Sequence, residues 1–381
     1  MPSNTAWGRS LAATIVKHLK KIEQAVLRNR PVSAYLENRG RFLFNQGGNG
    51  FDWRAKYKLH TVQGNTGETP RQFGRTNRYK VAELEYRGYQ VVDSITKKEM
   101  LENQDSDAKV IDLNMDIVKD MVESLNEHIG EQWYVDGEAS GNELKFHGIE
   151  SMMGTSGTVD TTATAPTLAS RTANAADMFA NPSDTYAALS TALANFGGQQ
   201  VAGIWPDGTT NAQADFWSPN IILTTSTHAD IGGSGDTWAT QCVEVLRALF
   251  IACHRNSGQN GQVDFCVMDR KLYRQLLNSL DDKERVLVTA ESGLRSFGFK
   301  NVVEVDGVES TWDYGVPADT GYAFNADNMD VRSMQDSFIK SDEKEWDIDS
   351  QSMKYVVDCL ANIKFESPRN FGKFLPAASV S

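Results

Sequence analysis

Three stretches of the chain predict strands, over residues 53–60, 79–89 and 353–365. The first and the third alternate strictly between apolar and polar residues, which is the pattern of a strand with one covered face. The two faces of the first stretch carry Trp53, Ala55, Tyr57 and Leu59 on one side, and Arg54, Lys56, Lys58 and His60 on the other. In the second stretch, Glu83 and Glu85 point to one side.

The segment between the first two stretches predicts a long hairpin. Residues 63–77 contain three glycines, one proline and several polar side chains, as extended turns do. An ordinary hairpin packed on its own domain is one interpretation. Two strands with so few apolar residues are not stable alone, however. We therefore expect a surface supplied from elsewhere, with the hairpin acting between subunits rather than within one.

A second pattern, with helical spacing, predicts a long helix over residues 107–135. Its apolar stripe consists of Val110, Leu113, Ile117, Met121, Leu125, Ile129 and Trp133. Because the stripe occupies one side only, the helix should lie on a sheet. At about 1.5 Å per residue it would be roughly 43 Å long, and the strand over 353–365 matches that length at about 3.3 Å per residue. A long helix beside a strand so distant in sequence implies that residues 177–329 are inserted between them.

The inserted residues read as a compact α/β unit, because short apolar strands alternate with helices. Helices are predicted over 185–196, 237–254 and 270–280. Ser183 or Asp184 would cap the first of them. The second is apolar almost all round, so we expect it to be buried. Strands are predicted over 220–225, 264–268, 301–305 and 320–324. At the other end of the chain, residues 11–27 predict a short basic amphipathic helix that stops before Pro31.

Charge is divided unequally along the chain. The net charge of the 381 residues is −12, which argues against a protein that binds nucleic acid or membrane over its whole surface. Residues 1–90 nevertheless hold 16 Lys and Arg against 6 Asp and Glu, and the remaining 291 hold 22 against 44. The two surfaces could simply face water. Alternatively, the basic arm of one copy lies on an acidic body, its own or a neighbour's.

The residues and spacings that usually carry catalytic chemistry are missing. The sequence has no phosphate-binding glycine loop and no nucleophile elbow, and its six histidines show no metal-ligand spacing on a helix. The four cysteines form no C-x-x-C pair, and Cys242, Cys253 and Cys359 fall on apolar faces, so we expect buried thiols. No stretch is apolar enough to span a membrane, and no signal peptide is evident. We expect a soluble chain made in a reducing cytoplasm, not an enzyme, with no cofactor or metal.

The order of these parts is specific: a basic arm, a long basic hairpin, a long helix, a glycine-rich crossover, an inserted α/β unit and a long terminal strand. The segments GIESMMG at 148–154 and ESPRNFG at 366–372 follow the helix and the terminal strand. In this order, over nearly its whole length, the chain resembles the major capsid protein of tailed double-stranded-DNA bacteriophages, a fold shared with encapsulin shells. The two segments are similar to that family's passage into its axial domain and to its closing segment.

The resemblance implies an α+β fold of four parts. These are an N-arm at 1–50, an E-loop hairpin at 51–90, a P-domain with its spine helix and long antiparallel sheet at 91–155 and 330–381, and an inserted α/β A-domain at 156–329. Some family members begin with a scaffolding segment that a protease removes. Here the arm starts within a few residues of Met1, which implies a separate scaffolding protein. Some relatives cross-link a lysine to an asparagine; Lys56 or Lys58 and Asn370 could take those roles, but nothing in the sequence supports it.

The implied function is structural. Many copies would assemble through pentamers and hexamers into an icosahedral virion shell around double-stranded DNA, built in the bacterial host cytoplasm with scaffolding and portal proteins and with room for a decoration protein. The candidate intersubunit contacts are Arg54, Lys56, Lys58, Arg71, Arg75, Arg78, Glu83 and Glu85. Part of the basic arm could instead face the DNA, without reading bases. An encapsulin-type compartment and a soluble α/β enzyme remain the alternatives.

Overall fold

The structure is a computed structural model. It describes residues 30–56, 63–64, 67, 71, 73–74, 79–102, 107–154, 184–191, 217–224, 238–254, 261–281, 302–341 and 345–376. The helix predicted over 11–27 lies outside these residues, as do residues 155–183, which include the last part of the glycine-rich crossover.

The described part of the chain contains five α-helices, sixteen strands and three short 3₁₀ helices at Ile149–Met152, Ala326–Asn328 and Pro368–Asn370. The helices are α1 Pro31–Asn38, α2 Lys97–Glu102, α3 Asp107–Gln132, α4 Trp238–His254 and α5 Arg270–Asp281. The strands are β1 Phe42–Leu43, β2 Gly50–Lys56, β3 Tyr79–Glu85, β4 Arg87–Thr96, β5 Thr185–Tyr186, β6 Leu189–Ser190, β7 Asn220–Thr224, β8 Phe265–Met268, β9 Val303–Val305, β10 Val308–Trp312, β11 Gly321–Phe324, β12 Met329–Ser333, β13 Lys340–Ser341, β14 Glu345–Asp347, β15 Ser352–Phe365 and β16 Gly372–Pro376.

The first sheet is organised around β15. Along one edge β15 pairs antiparallel with β4, from Ser352 opposite Thr96 to Ala361 opposite Arg87. Along the other edge it pairs in succession with β14, β13 and β12, and β1 joins β12 in parallel. The strand predicted over 353–365 is confirmed as β15, with Tyr355, Val357 and Cys359 buried on one face; from Ala361 to Phe365 every residue is buried.

Helix α3 packs on β4 and β15, as the one-sided stripe predicts. From residue 121 to 130 two buried positions alternate with two exposed ones, which is the spacing of a helix with one covered face. Met121, Leu125 and Ile129 are each at most 4% exposed. The helix ends at Gln132, three residues before the predicted end, and Trp133 follows as a fully buried side chain.

Gly148 is required where the chain returns past the end of α3. A Cβ at this position would lie 2.6 Å from the Val135 carbonyl oxygen and 2.7 Å from that of Trp133, both of them backbone atoms that cannot turn aside. Replacing Gly148 by alanine should lower the free energy of unfolding by about 1–3 kcal/mol through overpacking. Urea unfolding measures this, and Gly47→Ala, where a Cβ meets nothing within 4 Å, is the control. Equal midpoints for the two variants would contradict the close approach.

The second sheet has the strand order β7-β16-β11-β8-β10-β9. Helices α4 and α5 cover one face, where Trp238 stacks on Phe374 with ring centroids 4.9 Å apart. The opposite face contributes Phe265 and Phe324 to a core shared with the first sheet and α3. Helix α1 also belongs to this shared core, because the ring of Tyr35 stacks on the ring of Phe265 with centroids 4.8 Å apart.

The closing strand β16 departs from the predicted division of the chain, which grouped residues 330–381 with the long sheet. It lies inside the second sheet, parallel to β7 and antiparallel to β11. The end of the chain therefore completes the sheet of the inserted unit. The strands predicted over 220–225, 264–268, 301–305 and 320–324 are present with shifts of up to two residues, as is the helix over 270–280.

The helix predicted over 185–196 is wrong in its described part. Residues 184–191 form a small hairpin in which β5 pairs with β6. Ala187 and Ala188 occupy the turn with φ of 53° and 62°, outside the helical region. The Tyr186 hydroxyl accepts a hydrogen bond from the Phe365 backbone N–H at 2.8 Å. Tertiary contacts of a buried tyrosine thus override the helical preference of an alanine-rich segment.

Helix α4 is less buried than its composition predicts. Ile251 is 61% exposed, and Arg247 forms ion pairs with Glu244 at 3.2 Å and Asp306 at 2.9 Å on the solvent side. The expectation of an all-round buried helix is therefore wrong, because only one face of α4 meets the sheet. All four cysteines are buried and none forms a disulfide; burial was predicted for Cys242, Cys253 and Cys359 and is confirmed.

Candidate interaction surface at the base of the hairpin

The predicted hairpin is present at its base. Strand β2 pairs antiparallel with β3, from Gly50 opposite Glu85 to Lys56 opposite Tyr79. The predicted single strand over 79–89 is broken at Tyr86, and β4 continues in a different sheet. The chain therefore passes from the hairpin directly into the first sheet.

One face of the hairpin base packs on the chain's own core. Phe51, Trp53, Ala82 and Leu84 are each at most 8% exposed. The Trp53 ring lies 6.2 Å from the ring centroid of Trp217, and its Nε1 donates to the Glu366 carbonyl oxygen at 3.1 Å. The expectation that the hairpin lacks a surface of its own is therefore wrong for the base, because aromatic residues from distant segments meet beneath it.

The polar side of the end of β15 is covered by the same packing. Asn362 donates to the Glu85 carbonyl oxygen at 2.7 Å and accepts from the His147 backbone N–H at 3.0 Å. The Lys364 ammonium lies 5.2 Å from the Trp53 ring centroid and 3.1 Å from Glu366 Oε2. These two residues lie on the polar side of the alternating stretch 353–365, and they are buried because the hairpin base lies over them.

The outer face of the hairpin base separates its charges. Asp52 lies opposite Glu83, and Arg54 lies opposite Val81, so the register does not pair Arg54 with an acid. Arg54, Glu83 and Glu85 are all exposed, as predicted. No ion pair joins Arg54 to Glu83 or Glu85 within the residues that the structure describes. The base of the hairpin is therefore acidic, and basic residues begin at Arg54.

The other predicted contact residues lie toward the tip. Lys56 ends β2, with its side chain outside the described residues, and Arg71 is exposed. Lys58, Arg75 and Arg78 lie outside the described residues. The structure brings Glu83 and Glu85 together at the base, and it tests no contact between the acidic and basic sets.

Beside the hairpin base is a groove with a volume of about 670 Å³. We call it the acidic groove. Its charged and titratable lining residues are Asp52, Glu83, Glu85, Arg87, Glu138, Glu143 and His147. The three contributing regions are the hairpin, the start of β4 and the loop after α3, and the turn of the β5–β6 hairpin closes one side through Ala188.

Arg87 is held by the backbone and does not neutralise the groove by direct pairing. Its Nη1 donates to the carbonyl oxygens of Gly137 at 2.6 Å, of Asn142 at 3.1 Å and of Lys145. These contacts fix the loop that presents Glu138. Within the described residues no ion pair joins Arg87 to a carboxylate of the groove.

Glu138 and His147 meet at the floor of the acidic groove. The pKa of Glu138 is raised to about 7, mainly by burial and also by the charges of Asp184 and Asp136, while the hydrogen bond from the Ala187 N–H and the charge of Arg87 act in the opposite direction. Burial lowers the pKa of His147 to about 3, with a smaller contribution from Arg87. The imidazole is therefore neutral at pH 7, and its Nδ1, 3.8 Å from Glu138 Oε1, does not form an ion pair.

Stability should depend on the charge of Glu138. Because its folded-state pKa lies above the ordinary 4.5, the folded chain binds this proton more tightly, so stability falls as pH rises from about 4.5 to about 7. Glu138→Gln removes that loss while keeping an oxygen for the Ala187 N–H, which donates at 2.8 Å. The melting temperature of the variant should be a few degrees above that of the wild type at pH 8 and equal to it at pH 4.5. Thermal unfolding at both pH values measures this.

The control for this pH dependence is Glu127→Gln on the exposed face of α3. It should change the melting temperature equally at both pH values, because Glu127 is solvated. If Glu138→Gln changed the melting temperature by the same amount at pH 4.5 and pH 8, ionisation of Glu138 would not destabilise the folded protein.

The described residues contain neither a candidate metal site nor a candidate membrane-spanning helix. No group of three or more His, Cys, Asp and Glu there is placed to hold a metal ion. None of the helices in that part of the chain combines the length and the apolarity needed to cross a membrane. The chemistry of the groove is that of carboxylates and a neutral imidazole, which bind cationic groups by charge-assisted hydrogen bonds.

Sequence reasoning did not find Asp52, Glu138 or His147. Asp52 stands one residue before the alternating stretch, and the other two belong to a glycine-dotted loop. The side chains meet only because α3 ends beside the hairpin base. A glutamate next to Gly137, directly after a long helix, is the sole local signal, and it does not indicate a groove.

Comparisons with known proteins give a match in structure alone. No family model and no curated protein sequence matches the chain. The capsid protein of cyanophage A-1(L) aligns with a TM-score of 0.55 and 16% identity, covering 91% of this chain and 92% of that one. The capsid protein of a native GTA particle aligns with a TM-score of 0.50 and 10% identity, covering 90% and 91%.

The match defines the fold class. The chain has the α+β fold of tailed-phage major capsid proteins over about nine tenths of its length, so the predicted fold is confirmed. Both of these matched structures are capsids. At such low identity the likeness extends to the fold and not to particular contacts.

Proposed function

We propose that this chain is a major capsid protein that assembles through pentamers and hexamers into an icosahedral shell enclosing phage double-stranded DNA. The observation that carries the proposal is the capsid-protein fold, which covers 91% of this chain and 92% of the cyanophage capsid protein. Agreement over both full chains leaves little of either molecule for a different activity.

Assembly would give the unequal charge distribution along the sequence a function. Residues 1–90 are basic and the remainder acidic, so contacts between copies can be oriented by opposite charges. Shells of this kind rest on large obligate interfaces, about 2,000 Å² or more in total per subunit. The division into N-arm, E-loop, P-domain and A-domain belongs to the same proposal.

The proposed partners and place follow from a shell. The chain contacts itself, a scaffolding protein and a portal, and the basic arm can contact packaged DNA without base recognition. A decoration protein is a further candidate partner. Assembly takes place in the host cytoplasm, and the product is the virion capsid.

Mass photometry and negative-stain microscopy of the purified protein test the proposal. Capsomers or closed shells are expected, alone or after adding the scaffolding protein encoded with it. A homogeneous 42.2 kDa species that unfolds cooperatively under all these conditions would rule out the capsid function and favour a soluble enzyme.

The contents of the shells distinguish a virion from an encapsulin-type compartment. Particles isolated from infected cells should contain nuclease-protected double-stranded DNA and a portal. Shells with protein cargo and no protected DNA would replace the virion function by enzyme storage and would leave the capsid fold unaffected.

A further inference from the structure

The carboxyl groups that line the acidic groove are separated from one another. Asp52 and Glu83 lie directly opposite each other on the exposed face of β2 and β3, and Glu85 lies two residues further along β3. Residues that follow each other on one face of a strand are roughly 6–7 Å apart. Glu138 belongs to a different element, the loop after α3. A ligand that pairs with all of these carboxylates must therefore carry several positive charges at a distance from one another.

The bases of the chain do not pair with the carboxylates of the hairpin. Two acids directly opposite on neighbouring strands repel each other, and within the described residues no ion pair joins Asp52, Glu83 or Glu85 to a lysine or arginine. Arg87 is the one cation among the residues that line the groove. Its Nη1 donates to three backbone carbonyl oxygens instead. A cation from solution would relieve this repulsion.

The His147 side chain points to a ligand independently of the acids. It lines the groove and is 5% exposed. Its Nδ1 has no hydrogen-bond partner among the described residues, which is unfavourable for a buried nitrogen. Nδ1 lies 3.8 Å from Oε1 of Glu138, too far for a hydrogen bond between the two side chains. An ammonium group placed beside both atoms would donate one N–H to each, since Nδ1 accepts when the neutral imidazole carries its proton on Nε2.

This arrangement favours an organic cation over a metal ion. Among the described residues no three His, Cys, Asp or Glu side chains are placed to bind one ion, whereas Ca²⁺ and Mg²⁺ take about six or more ligands. Leu84 and Ala188 also line the groove, and uncharged residues suit the methylene groups of an alkylammonium chain. The groove volume of about 670 Å³ is in the usual range for a small-molecule site.

We propose that the acidic groove is a binding site for a linear polyamine. One terminal ammonium group lies between Glu138 and His147, and the other ammonium groups pair with Asp52, Glu83 and Glu85. The proposal goes beyond the capsid function and does not rest on it, because every residue that lines the groove belongs to one chain.

Equilibrium dialysis of labelled spermidine against the DNA-free full-length protein tests the proposal. At constant ionic strength we expect saturable binding of one spermidine per chain. Butylamine has a single ammonium group and should bind at least about tenfold more weakly, because it cannot pair with Glu138 and the hairpin acids together. Spermidine that binds no more tightly than butylamine, or that Mg²⁺ displaces as well as unlabelled spermidine does, would overturn the proposal.

Neutral variants locate the site. Glu138→Gln should lower the affinity for spermidine about tenfold, and the hairpin triple variant Asp52→Asn, Glu83→Gln and Glu85→Gln should lower it at least as much. The matched control removes three exposed carboxylates from α3: Glu123→Gln, Glu127→Gln and Glu131→Gln. It should leave the affinity within about twofold of the wild type. Equal losses for the two triple variants would mean that spermidine follows net charge alone, which would overturn the proposal.

His147→Phe tests the acceptor without changing charge, because the imidazole is neutral at pH 7. Loss of Nδ1 should weaken spermidine binding about fivefold. Unchanged affinity in a folded His147→Phe protein, as judged by circular dichroism, would overturn the proposal. If this buried substitution prevents folding, the hairpin triple variant decides the matter, because its three residues are exposed.

The pH dependence gives a readout that a merely structural role of Glu138 would not change. The titratable and charged groups around this carboxyl are Asp136, Asp184, Arg87, His147 and Tyr186. Because the Glu138 pKa is raised to about 7, mainly by burial, the carboxylate is mostly protonated at pH 6 and mostly ionised at pH 8. The affinity for spermidine should rise about tenfold between these pH values in the wild type and much less in Glu138→Gln. An equal rise in both proteins would exclude Glu138 from the site and overturn the proposal.

Discussion

Leu125→Asp in helix α3 should abolish soluble folding. Leu125 is 2% exposed and lies in the core between α3 and the first sheet. A carboxylate forced into this contact costs several kcal/mol, which is comparable with the about 5–15 kcal/mol that stabilises a whole domain. We expect the variant in the insoluble fraction after expression, measured by the soluble yield of full-length chain.

The matched control is Ser124→Asp, which places the same side chain one residue earlier on the exposed face of α3. It should remain soluble and assemble. Ile117→Asp tests the edge of the stripe: Ile117 is only partly buried, so its effect should be weaker than that of Leu125→Asp. Particles of wild-type size formed by Leu125→Asp would mean that the buried stripe is wrongly assigned.

Phe374→Ala should destabilise the second sheet by about 3–5 kcal/mol, the usual cost of removing a buried aromatic ring. Phe374 is fully buried on β16, and its ring is nearly parallel to that of Trp238, at an angle of 9°. Removing the Phe374 ring removes the contact between β16 and Trp238, the first residue of α4. Tryptophan fluorescence during urea unfolding should move to a lower midpoint with a changed baseline for Trp238.

Leu144→Ala serves as the control for Phe374→Ala, because Leu144 is 80% exposed and its truncation leaves no cavity. The comparison requires that both variants sediment in the same oligomeric state, since association itself shifts unfolding midpoints. A Phe374→Ala midpoint equal to that of Leu144→Ala would show that β16 does not support the second sheet.

The long elements were predictable because their patterns are long. Helix α3 and strand β15 each repeat one period many times, so a single exception does not obscure the pattern. Their contact also followed, since a one-sided helix and a one-sided strand of equal length cover each other. The fold class came from the order of such elements, and the structural match agrees with it.

The short elements were mispredicted where distant residues decide the conformation. The alanine-rich segment after Asp184 has helical composition, yet Tyr186 is fixed by the Phe365 N–H and the chain turns at Ala187. The break at Tyr86 likewise has no local signal, because residues on both sides alternate as strands do. The intrinsic helix or strand preference of a short segment is weak, and tertiary contacts override it.

The acidic groove could not be predicted because three segments build it. Asp52 and Glu83 meet through the register of β2 and β3, which depends on the packing of Trp53 and not on the turn alone. Glu138 and His147 join them only because α3 ends beside the hairpin. The alternation in the sequence predicted that Glu83 and Glu85 share one face of the strand. It did not predict the register of β2 against β3, so it could not tell whether Asp52 or Arg54 lies opposite Glu83.

The position of β16 makes the second sheet depend on two distant parts of the chain. Among the described residues, β7 has no sheet partner other than β16, and β16 follows β15 of the first sheet along the chain. The second sheet is therefore incomplete until the strands of the first sheet have also been made. A fragment that contains the inserted residues but not β16 lacks the strand that holds β7, so we expect the two sheets to fold as one cooperative unit.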